Sequence, residues 1–358
     1  MMARPNYYTA FLALFFSVLG ILLMSQIPMI WHAKFYLDGH TLLSSNPSLE
    51  LFAGSYRGTA WLFSPVFDAL RYAGVELNKY STEFDANWFI ANMVWATPFV
   101  VATWLLLKRV NFDTDASSVF VLFCALTLFS PFYASINKDI IPALACFVSM
   151  HSLAKGHTAR AMVIFVALCV AYGLTIRSYF LLFALLFLAT QSISGNRRLV
   201  VLAILAGTGI VYLAFPYIPR TLIDIGRAEY LEGVSATRID YFFDDFSALG
   251  FTLNRLTSLA RIAFPIELIL KSPAYLPFVV FRCYASALTL RLMGSRIPTD
   301  LRVASSVVFA FTLTQAIFEP DFGSSFRHFL MVMPAVIYLQ AGRLRAPGRF
   351  RVPRLVFR

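Results

Sequence analysis

Residues 161–193 read AMVIFVALCVAYGLTIRSYFLLFALLFLATQSI, a run of 33 residues in which Arg177 is the only charged side chain. About 20 apolar residues span the hydrocarbon core of a bilayer, so the run is either one long helix or two short ones. The choice sets the orientation of every later segment. We expect a hairpin with Arg177 at its outer tip, because a single span would move the Arg-rich C-terminal segment to the outside.

The composition around this run is that of a polytopic membrane protein. Of the 358 residues, 59% are hydrophobic and only 14% are charged. These values exclude an ordinary soluble globular domain. The first apolar run, 7–31, is too long for the apolar region of a signal peptide, and we expect it to be retained as the first span. All four cysteines lie in apolar runs, which argues against a disulfide framework.

Ten hydrophobic segments predict an all-α fold that forms a single integral-membrane domain, 1–358. They lie near 7–31, 88–107, 116–136, 140–154, 161–176, 178–193, 199–218, 274–293, 303–318 and 329–342. If the N-terminus is cytoplasmic, the inner connections and the tail hold 16 basic residues and three acidic ones. The excess of Lys and Arg therefore predicts that both termini are cytoplasmic. The basic tail is 343–358.

Two long outer loops remain, near 32–87 and 217–273, and we expect interfacial helices in both. In the second loop, leucine and isoleucine side chains recur about every third residue from Leu253 to Ile262, with Arg255 and Arg261 off that face. This spacing predicts an amphipathic helix that rests on the membrane. Three aspartates earlier in the loop form either a solvated acidic face or a divalent metal site, and we predict the acidic face. They are Asp240, Asp244 and Asp245.

The richest polar stretch is 319–328, EPDFGSSFRH, between two apolar runs. Arg327 is a candidate to bind a diphosphate, because a guanidinium pairs with two phosphate oxygens at once. His328, Glu319 or Asp321 is a candidate to transfer a proton, and histidine changes charge most readily near neutral pH. The alternative is a solvent-exposed turn at 323–325 in which Asp321 pairs with Arg327.

Further candidates lie at the other predicted outer tips. Asp38 is placed to deprotonate an acceptor hydroxyl, or else it forms an interfacial Asp-Gly turn. Lys138 is a candidate phosphate ligand, or else it pairs with Asp139 while that residue caps the next helix. Arg177 is a candidate second diphosphate ligand if it faces a cavity or a partner. Otherwise its side chain extends from the hairpin tip to the lipid headgroups. Arg282 lies inside the eighth segment, and we expect it to pair with a group on a neighbouring helix.

Every polar cluster larger than a pair lies on the predicted outer side. A site there has no access to nucleotide-activated donors, and the sequence has no glycine-rich phosphate loop. A transfer reaction at that face needs a substrate that is activated on a lipid. Polyprenyl phosphates and diphosphates meet this need, and arginine suits their recognition.

The pattern Glu319-x-Asp321-Phe322-Gly323-Ser324-x2-Arg327-His328, followed by Pro334, resembles the closing hairpin of bacterial envelope-glycan membrane proteins. These are Wzy- and EpsG-type polysaccharide polymerases or GT-C glycosyltransferase-like proteins. Asn137-Lys138-Asp139 before a short helix and Arg177 in a helical hairpin are similar to features of the same group. The chain departs from the GT-C pattern because Asp38 stands alone, without the second acid of a pair.

The resemblance implies an enzyme of the bacterial inner membrane that polymerises polyprenyl-diphosphate-linked oligosaccharide repeat units at the periplasmic face. The product would be an exopolysaccharide, capsule or O-antigen. Its expected partners are the lipid bilayer, the polyprenyl-linked glycan, and a chain-length regulator or flippase, with no nucleic acid, no cofactor and no metal. The alternatives are a GT-C enzyme that uses a polyprenyl-phosphate sugar, and a transporter or flippase.

Overall fold

The structure is a computed structural model that describes residues 7–25, 34–52, 54–77, 85–110, 112–217, 237–293 and 297–343. Within these residues the regular elements are helices, apart from one isolated antiparallel bridge between Arg238 and Asp321. The predicted all-α fold is therefore confirmed. The first half of the second outer loop, 218–236, and the tail from 344 onward lie outside the described residues.

The α-helices are Tyr7–Ser25, Lys34–Ser44, Ser55–Tyr72, Ala86–Leu107, Ala116–Phe123, Ser130–Tyr133, Ile140–Ala154, Thr158–Thr175, Tyr179–Ile193, Arg197–Ala214, Ala248–Ala263, Glu267–Lys271, Leu276–Met293, Thr299–Phe318, Phe322–Phe329 and Met333–Gly342. A π-helical segment, Cys124–Leu128, continues the fifth of them, and a 3-10 turn, Leu330–Val332, joins the last two.

Six helical stretches are long and apolar enough to cross a membrane: Ala86–Leu107, Thr158–Thr175, Arg198–Tyr217, Pro273–Met293, Thr299–Phe318 and Phe322–Gly342. Four shorter apolar helices occupy the remaining predicted segments: Tyr7–Leu23, Ala116–Leu128, Ile140–Ala154 and Tyr179–Ile193. Leucines of the helix 197–214 are largely exposed, as on a surface that lipid covers. By length and composition these are the helices of a polytopic membrane protein, while the number of ten spans stays a prediction.

The described chain divides into two compact units, and each is described by itself. The first comprises residues up to 184 together with 330–341. The second comprises 185–329 and, of the described residues after the first unit's 330–341, residues 342 and 343. The expectation of a single domain stays a prediction.

The decisive run of 33 residues forms two helices and not one. Thr158–Thr175 ends before Arg177, and Tyr179–Ile193 begins just after it. Phe165 packs edge-on against Phe183 at 5.4 Å between ring centroids, and Tyr172 packs against Phe180 at 4.5 Å. The pair farther from the break on one helix is also the pair farther from it on the other, so the two helices run antiparallel, as a hairpin requires.

In the first unit, the helix Tyr7–Ser25 packs closely on the π-helical segment. A Cβ added to Gly20 would lie 2.1 Å from the Leu126 carbonyl oxygen, so only glycine permits this approach. The Thr127 hydroxyl donates to the Phe16 carbonyl at 3.0 Å, and the Tyr133 hydroxyl donates to the Leu126 carbonyl at 2.5 Å. A side chain thus satisfies the Leu126 carbonyl of the π-helical segment, and Thr127 of the same segment bonds to the first helix.

One helix boundary and one buried helix face differ from those predicted. The last apolar helix was expected to begin near 329, but the helix starts at Phe322, so the expected turn at 323–325 is instead its first turn. The helix Ala248–Ala263 buries Phe251, Asn254 and Arg255, while Leu256 is 38% exposed. Arg255 is buried because it pairs with Asp245 at 3.0 Å, a tertiary contact that helical spacing does not reveal.

Candidate functional site

In the first unit, the turn that carries Lys138 is held by the side chain of Asn137. Its Nδ2 donates to the Phe132 carbonyl and, at 3.0 Å, to the Ser135 carbonyl. Its Oδ1 accepts from the Asp139 amide at 2.8 Å. Residues 131–140 are all buried. The Asn-Lys-Asp sequence therefore forms an ordered polar turn in the interior.

Arg177 reaches this turn from the tip of the hairpin. Its Nη1 lies 3.1 Å from Asp139 Oδ1, and the two side chains are 9% and 0% exposed. The same Nη1 donates to the Tyr179 hydroxyl at 2.7 Å. Burial lowers the pKa of Arg177, but Tyr179 and Asp139 outweigh it and raise the pKa well above its ordinary value.

Two expectations for these residues are wrong. Arg177 does not extend to the headgroups, because its guanidinium is buried and paired. Asp139 precedes the helix Ile140–Ala154 but makes no side-chain capping hydrogen bond, and it forms an ion pair with Arg177. A buried ion pair needs hydrogen bonds to its remaining groups, and the Tyr179 hydroxyl supplies one to Arg177.

Lys138 lies in the same turn and is 5% exposed. Its Nζ lies 3.7 Å from the centroid of the Tyr56 ring, as in a cation–π contact. The Tyr172 hydroxyl donates to the Lys138 carbonyl at 3.3 Å. Helix 55–72 and the hairpin thus both meet the turn, and they bring Lys138 and Arg177 into one polar centre.

Asp38 lies in the helix Lys34–Ser44, and its side chain lies outside the described residues. Its neighbour Gly39 lies against the polar turn, since an added Cβ would be 3.3 Å from the Ile136 carbonyl oxygen. His40, the next residue, packs its ring 5.1 Å from that of Trp88, and burial lowers its pKa. The helix that carries Asp38 therefore meets the turn that carries Lys138.

The second unit contains a carboxylate–imidazole pair from the polar decapeptide. Glu319 follows the helix Thr299–Phe318, and His328 lies in the helix Phe322–Phe329. Glu319 Oε2 and His328 Nδ1 are 2.8 Å apart, and both side chains are 5% exposed. The tight connection at 319–321 folds the second helix back, which is why residues nine positions apart meet.

Arg327 approaches the other ring nitrogen. Its Nη2 lies 3.4 Å from His328 Nε2. A guanidinium has only donors, so a hydrogen bond here makes Nε2 the acceptor and leaves Nδ1 facing Glu319. In the tautomer with the hydrogen on Nδ1, Nε2 is the nitrogen that could act as a general base.

Asp321 is placed differently from Glu319, the other acid of the decapeptide. It accepts hydrogen bonds from the Thr237 hydroxyl and, at 2.8 Å, from the Gly323 amide. The backbone bonds Phe322 N to Thr237 O (2.9 Å) and Ile239 N to Pro320 O (2.8 Å) form the bridge beside it. Asp321 therefore caps the helix and fixes the connection. Asp321 is only 8% exposed, so the alternative of a solvent-exposed pair between Asp321 and Arg327 is wrong.

Arg282 braces this centre from the middle of the helix Leu276–Met293. Its Nε donates to the Ile262 carbonyl at 2.9 Å, its Nη2 donates to the Thr312 hydroxyl at 3.0 Å, and its guanidinium lies 4.0 Å from the Phe329 ring centroid. Gln315 accepts from Arg282 at 3.4 Å and donates to the Ser325 carbonyl at 2.8 Å. The interhelical role expected of Arg282 is present, but through neutral acceptors.

Sequence reasoning missed the neutral partners of both centres, which are Tyr56, Tyr172, Tyr179, Thr237 and Gln315. None of them stands out by spacing, since each lies in or beside an apolar run. Among the described residues, no group of three or more His, Cys, Asp or Glu side chains could hold a metal ion.

The described residues thus bring together a basic polar centre at Lys138–Arg177 in the first unit and a carboxylate–imidazole centre at Glu319–His328 in the second, in a helical chain with six helices long and apolar enough to cross a membrane. Comparisons with protein-family models, with curated proteins and with solved structures give no match. The resemblance to envelope-glycan membrane proteins therefore stays a prediction from the local sequence patterns.

Proposed function

We propose that this protein transfers a glycan from a polyprenyl-diphosphate carrier to an acceptor sugar at the periplasmic face of a bacterial inner membrane, as a polymerase of oligosaccharide repeat units. The observation that carries the proposal is the buried Glu319–His328 pair with Arg327 at the second imidazole nitrogen. A base that is oriented by a carboxylate and lies beside a phosphate-binding cation meets the needs of glycosyl transfer from a diphosphate.

The proposed reaction uses these groups in one displacement. The acceptor hydroxyl oxygen attacks the anomeric carbon as the bond from that carbon to the diphosphate oxygen breaks. The diphosphate leaves with the bonding electron pair and is held by Arg327, which turns from His328 Nε2 to the phosphate oxygens. His328 Nε2 takes the hydroxyl proton, and the Glu319 carboxylate stabilises the imidazolium that forms.

The orientation of the chain is part of the proposal. Ten spans with both termini in the cytoplasm would place the connection before the last helix on the periplasmic side. The six long and four shorter apolar helices support this number. The excess of basic residues in the predicted inner segments supports the orientation.

A single-sugar transfer from a polyprenyl phosphate, as in GT-C enzymes, is the second candidate. The packing of the helix 34–44 on the Lys138 turn favours it, because the helix that carries Asp38 meets the turn that carries a cation. A product that grows by one sugar, and that is lost in Asp38→Asn, would support this candidate over the polymerase.

The proposal is tested by complementation in the native bacterium after deletion of the gene, with the surface glycan resolved by length. His328→Gln, Glu319→Gln and Arg327→Ala are each expected to abolish the ladder of long chains. The matched controls His157→Gln, Glu76→Gln and Arg71→Ala change exposed residues of the same types and are expected to retain it. Normal ladders from all three site variants, at equal protein levels, would contradict the proposal.

A further inference from the structure

The loop that precedes the helix Ala248–Ala263 in the second unit exposes three large aromatic side chains that the proposed chemistry does not use. Phe242 is 67% exposed, and Phe243 and Phe246 are about half exposed. We call residues 241–247 the phenylalanine loop. Because large apolar side chains that are exposed together mark an interaction surface, this loop requires a partner.

The folded chain holds the phenylalanine loop in place through polar side chains. Asn254 Oδ1 accepts from the Phe243 amide at 3.1 Å, and Asn254 Nδ2 donates to the Phe243 carbonyl at 2.9 Å. Arg261 Cζ lies 4.7 Å from the centroid of the Phe242 ring, and the same guanidinium donates two hydrogen bonds to Glu267. The phenylalanines are therefore presented on a backbone that is fixed by tertiary contacts.

The loop lies beside the start of Pro273–Met293, one of the helical stretches that are long and apolar enough to cross a membrane. Lys271 Nζ donates to the Arg238 carbonyl at 2.7 Å, so the segment that leads into the loop meets the residue two positions before this stretch. Leu270 is 89% exposed, and Leu276 on the helix itself is exposed as well. The exposed apolar surface therefore continues from the loop towards a surface that lipid would cover.

The charges around the loop are balanced. Residues 238–271 contain four acidic and four basic side chains, and so carry no formal net charge. Ion pairs join most of them: Arg255 with Asp245, Arg261 with Glu267, and both Arg238 and Lys271 with Asp240. Such a surface has no net electrostatic attraction for nucleic acid or for an oppositely charged protein. It fits the boundary between lipid headgroups and acyl chains, where apolar side chains insert and polar groups stay at the surface.

The phenylalanine loop is also joined to the carboxylate–imidazole centre. The Phe322 amide donates to the Thr237 carbonyl at 2.9 Å, in the bridge just before the loop. Arg261 Cζ, which lies 4.7 Å from the Phe242 ring centroid, lies 5.9 Å from that of Phe322. The loop and the first turn of the last helix thus contact one guanidinium, and the position of the loop determines that of the Glu319–His328 pair.

We propose that the phenylalanine loop inserts its aromatic side chains into the headgroup–acyl boundary of the bilayer, about 5–10 Å deep, and thereby holds the Glu319–His328 centre close to the depth of the lipid phosphates. This membrane contact differs from the one predicted from the leucine spacing of the helix 248–263, because it is made by the loop before that helix. The value of this depth for a lipid-linked substrate rests on the proposed function. The insertion itself is measurable without any transfer reaction.

The experiment is fluorescence quenching of the full-length protein in phosphatidylcholine nanodiscs that contain lipids with a doxyl group on the acyl chain. Phe242→Cys and Phe246→Cys, in a variant whose four native cysteines are replaced, carry a bimane label. Both labels are expected to be quenched about threefold more strongly by the doxyl lipids than a label on His157→Cys, which is exposed at a connection between two helices. Replacing part of the phosphatidylcholine by phosphatidylglycerol is expected to leave the quenching unchanged, because the surface has no net charge.

Doxyl quenching at positions 242 and 246 that is no stronger than at 157, or full quenching of both labels by aqueous iodide, would overturn the insertion and would leave a protein partner as the occupant of the surface. Quenching by the doxyl lipids in a protein that makes no glycan product would support the insertion and contradict the proposed function.

A pair of triple variants tests the link to the centre. Phe242→Ser, Phe243→Ser and Phe246→Ser together remove the apolar surface, and the matched triple variant with leucine at the same positions retains it. The serine variant is expected to lower glycan synthesis on the order of 10²-fold, because a displacement of about 1 Å at a reacting centre has this effect, whereas the leucine variant is expected to retain synthesis. Circular dichroism establishes that both are folded. Unchanged synthesis by the folded serine variant would overturn the positioning role of the loop.

Discussion

His328 contacts Glu319 through Nδ1 and Arg327 through Nε2. In the tautomer with the hydrogen on Nδ1, Nε2 carries the lone pair that the proposed base uses. The identities of these residues were predictable from the sequence, since a short stretch that holds Glu, Asp, Arg and His between apolar runs stands out. Which acid meets the histidine was not predictable, because it depends on Asp321 being used by Thr237 and Gly323.

The first prediction at the residue scale concerns the rate of transfer. His328→Gln removes the proton acceptor but retains hydrogen-bonding groups of similar reach, so the initial rate of glycan formation should fall by about 10²–10⁴-fold. Radiolabelled donor turnover in isolated membranes measures it. His157→Gln should retain the wild-type rate, and a change of less than threefold in His328→Gln would exclude a proton-transfer role.

The second prediction at the residue scale concerns the Asp139–Arg177 ion pair. Arg177→Met leaves a buried carboxylate without its counter-charge, and Asp139→Leu leaves a buried guanidinium, so each should lower the free energy of unfolding by about 3–5 kcal/mol. The double variant should recover most of the stability, because both charges are gone. Thermal unfolding of the detergent-purified single and double variants gives the four stabilities of a double-mutant cycle. If the loss in the double variant equals the sum of the two single losses, the pair is not directly coupled.

At the scale of elements, the hairpin and the last helix position the two polar centres. The break at Arg177 was predictable, because 33 apolar residues exceed one span and the charge lies at their middle. The start of the last helix at Phe322 was not, since its first turns contain serine, arginine and histidine, which read as a loop. Their polar groups are satisfied by Gln315 and Glu319, contacts that only the folded chain supplies.

The third prediction concerns Arg282, which ties three helices to Phe329. Arg282→Ala leaves the Ile262 carbonyl and the Gln315 amide oxygen without this donor, and each buried unsatisfied group costs about 1–3 kcal/mol. Arg282→Lys should not restore stability, because an ammonium cannot reproduce the planar fork. Unfolding curves in detergent measure both variants. A lysine variant as stable as wild type would show that the charge alone suffices.

For the whole molecule, orientation decides whether the proposed sites face the lipid-linked donor. Composition and the asymmetry of basic residues predicted a multi-pass helical protein with cytoplasmic termini. The helices agree with that composition, since six are long and apolar enough to span a bilayer. Hydropathy does not reveal the division into two compact units, because it arises from contacts between segments that are distant in sequence.

The fourth prediction tests this orientation with single cysteines in a variant whose four native cysteines are replaced. Ser178→Cys, at the exposed hairpin tip, should react with a membrane-impermeant maleimide in spheroplasts. His157→Cys, exposed at the preceding connection, should react only after permeabilisation. The reverse pattern would invert the proposed topology and remove the periplasmic site.

The most direct test of the central claim is glycan synthesis by the purified protein in proteoliposomes that contain a defined polyprenyl-diphosphate-linked repeat unit. The account predicts longer lipid-linked chains and free polyprenyl diphosphate with wild type and with His157→Gln, and neither product with His328→Gln. Equal synthesis by His328→Gln, or the absence of both products from the folded wild-type protein, would contradict it.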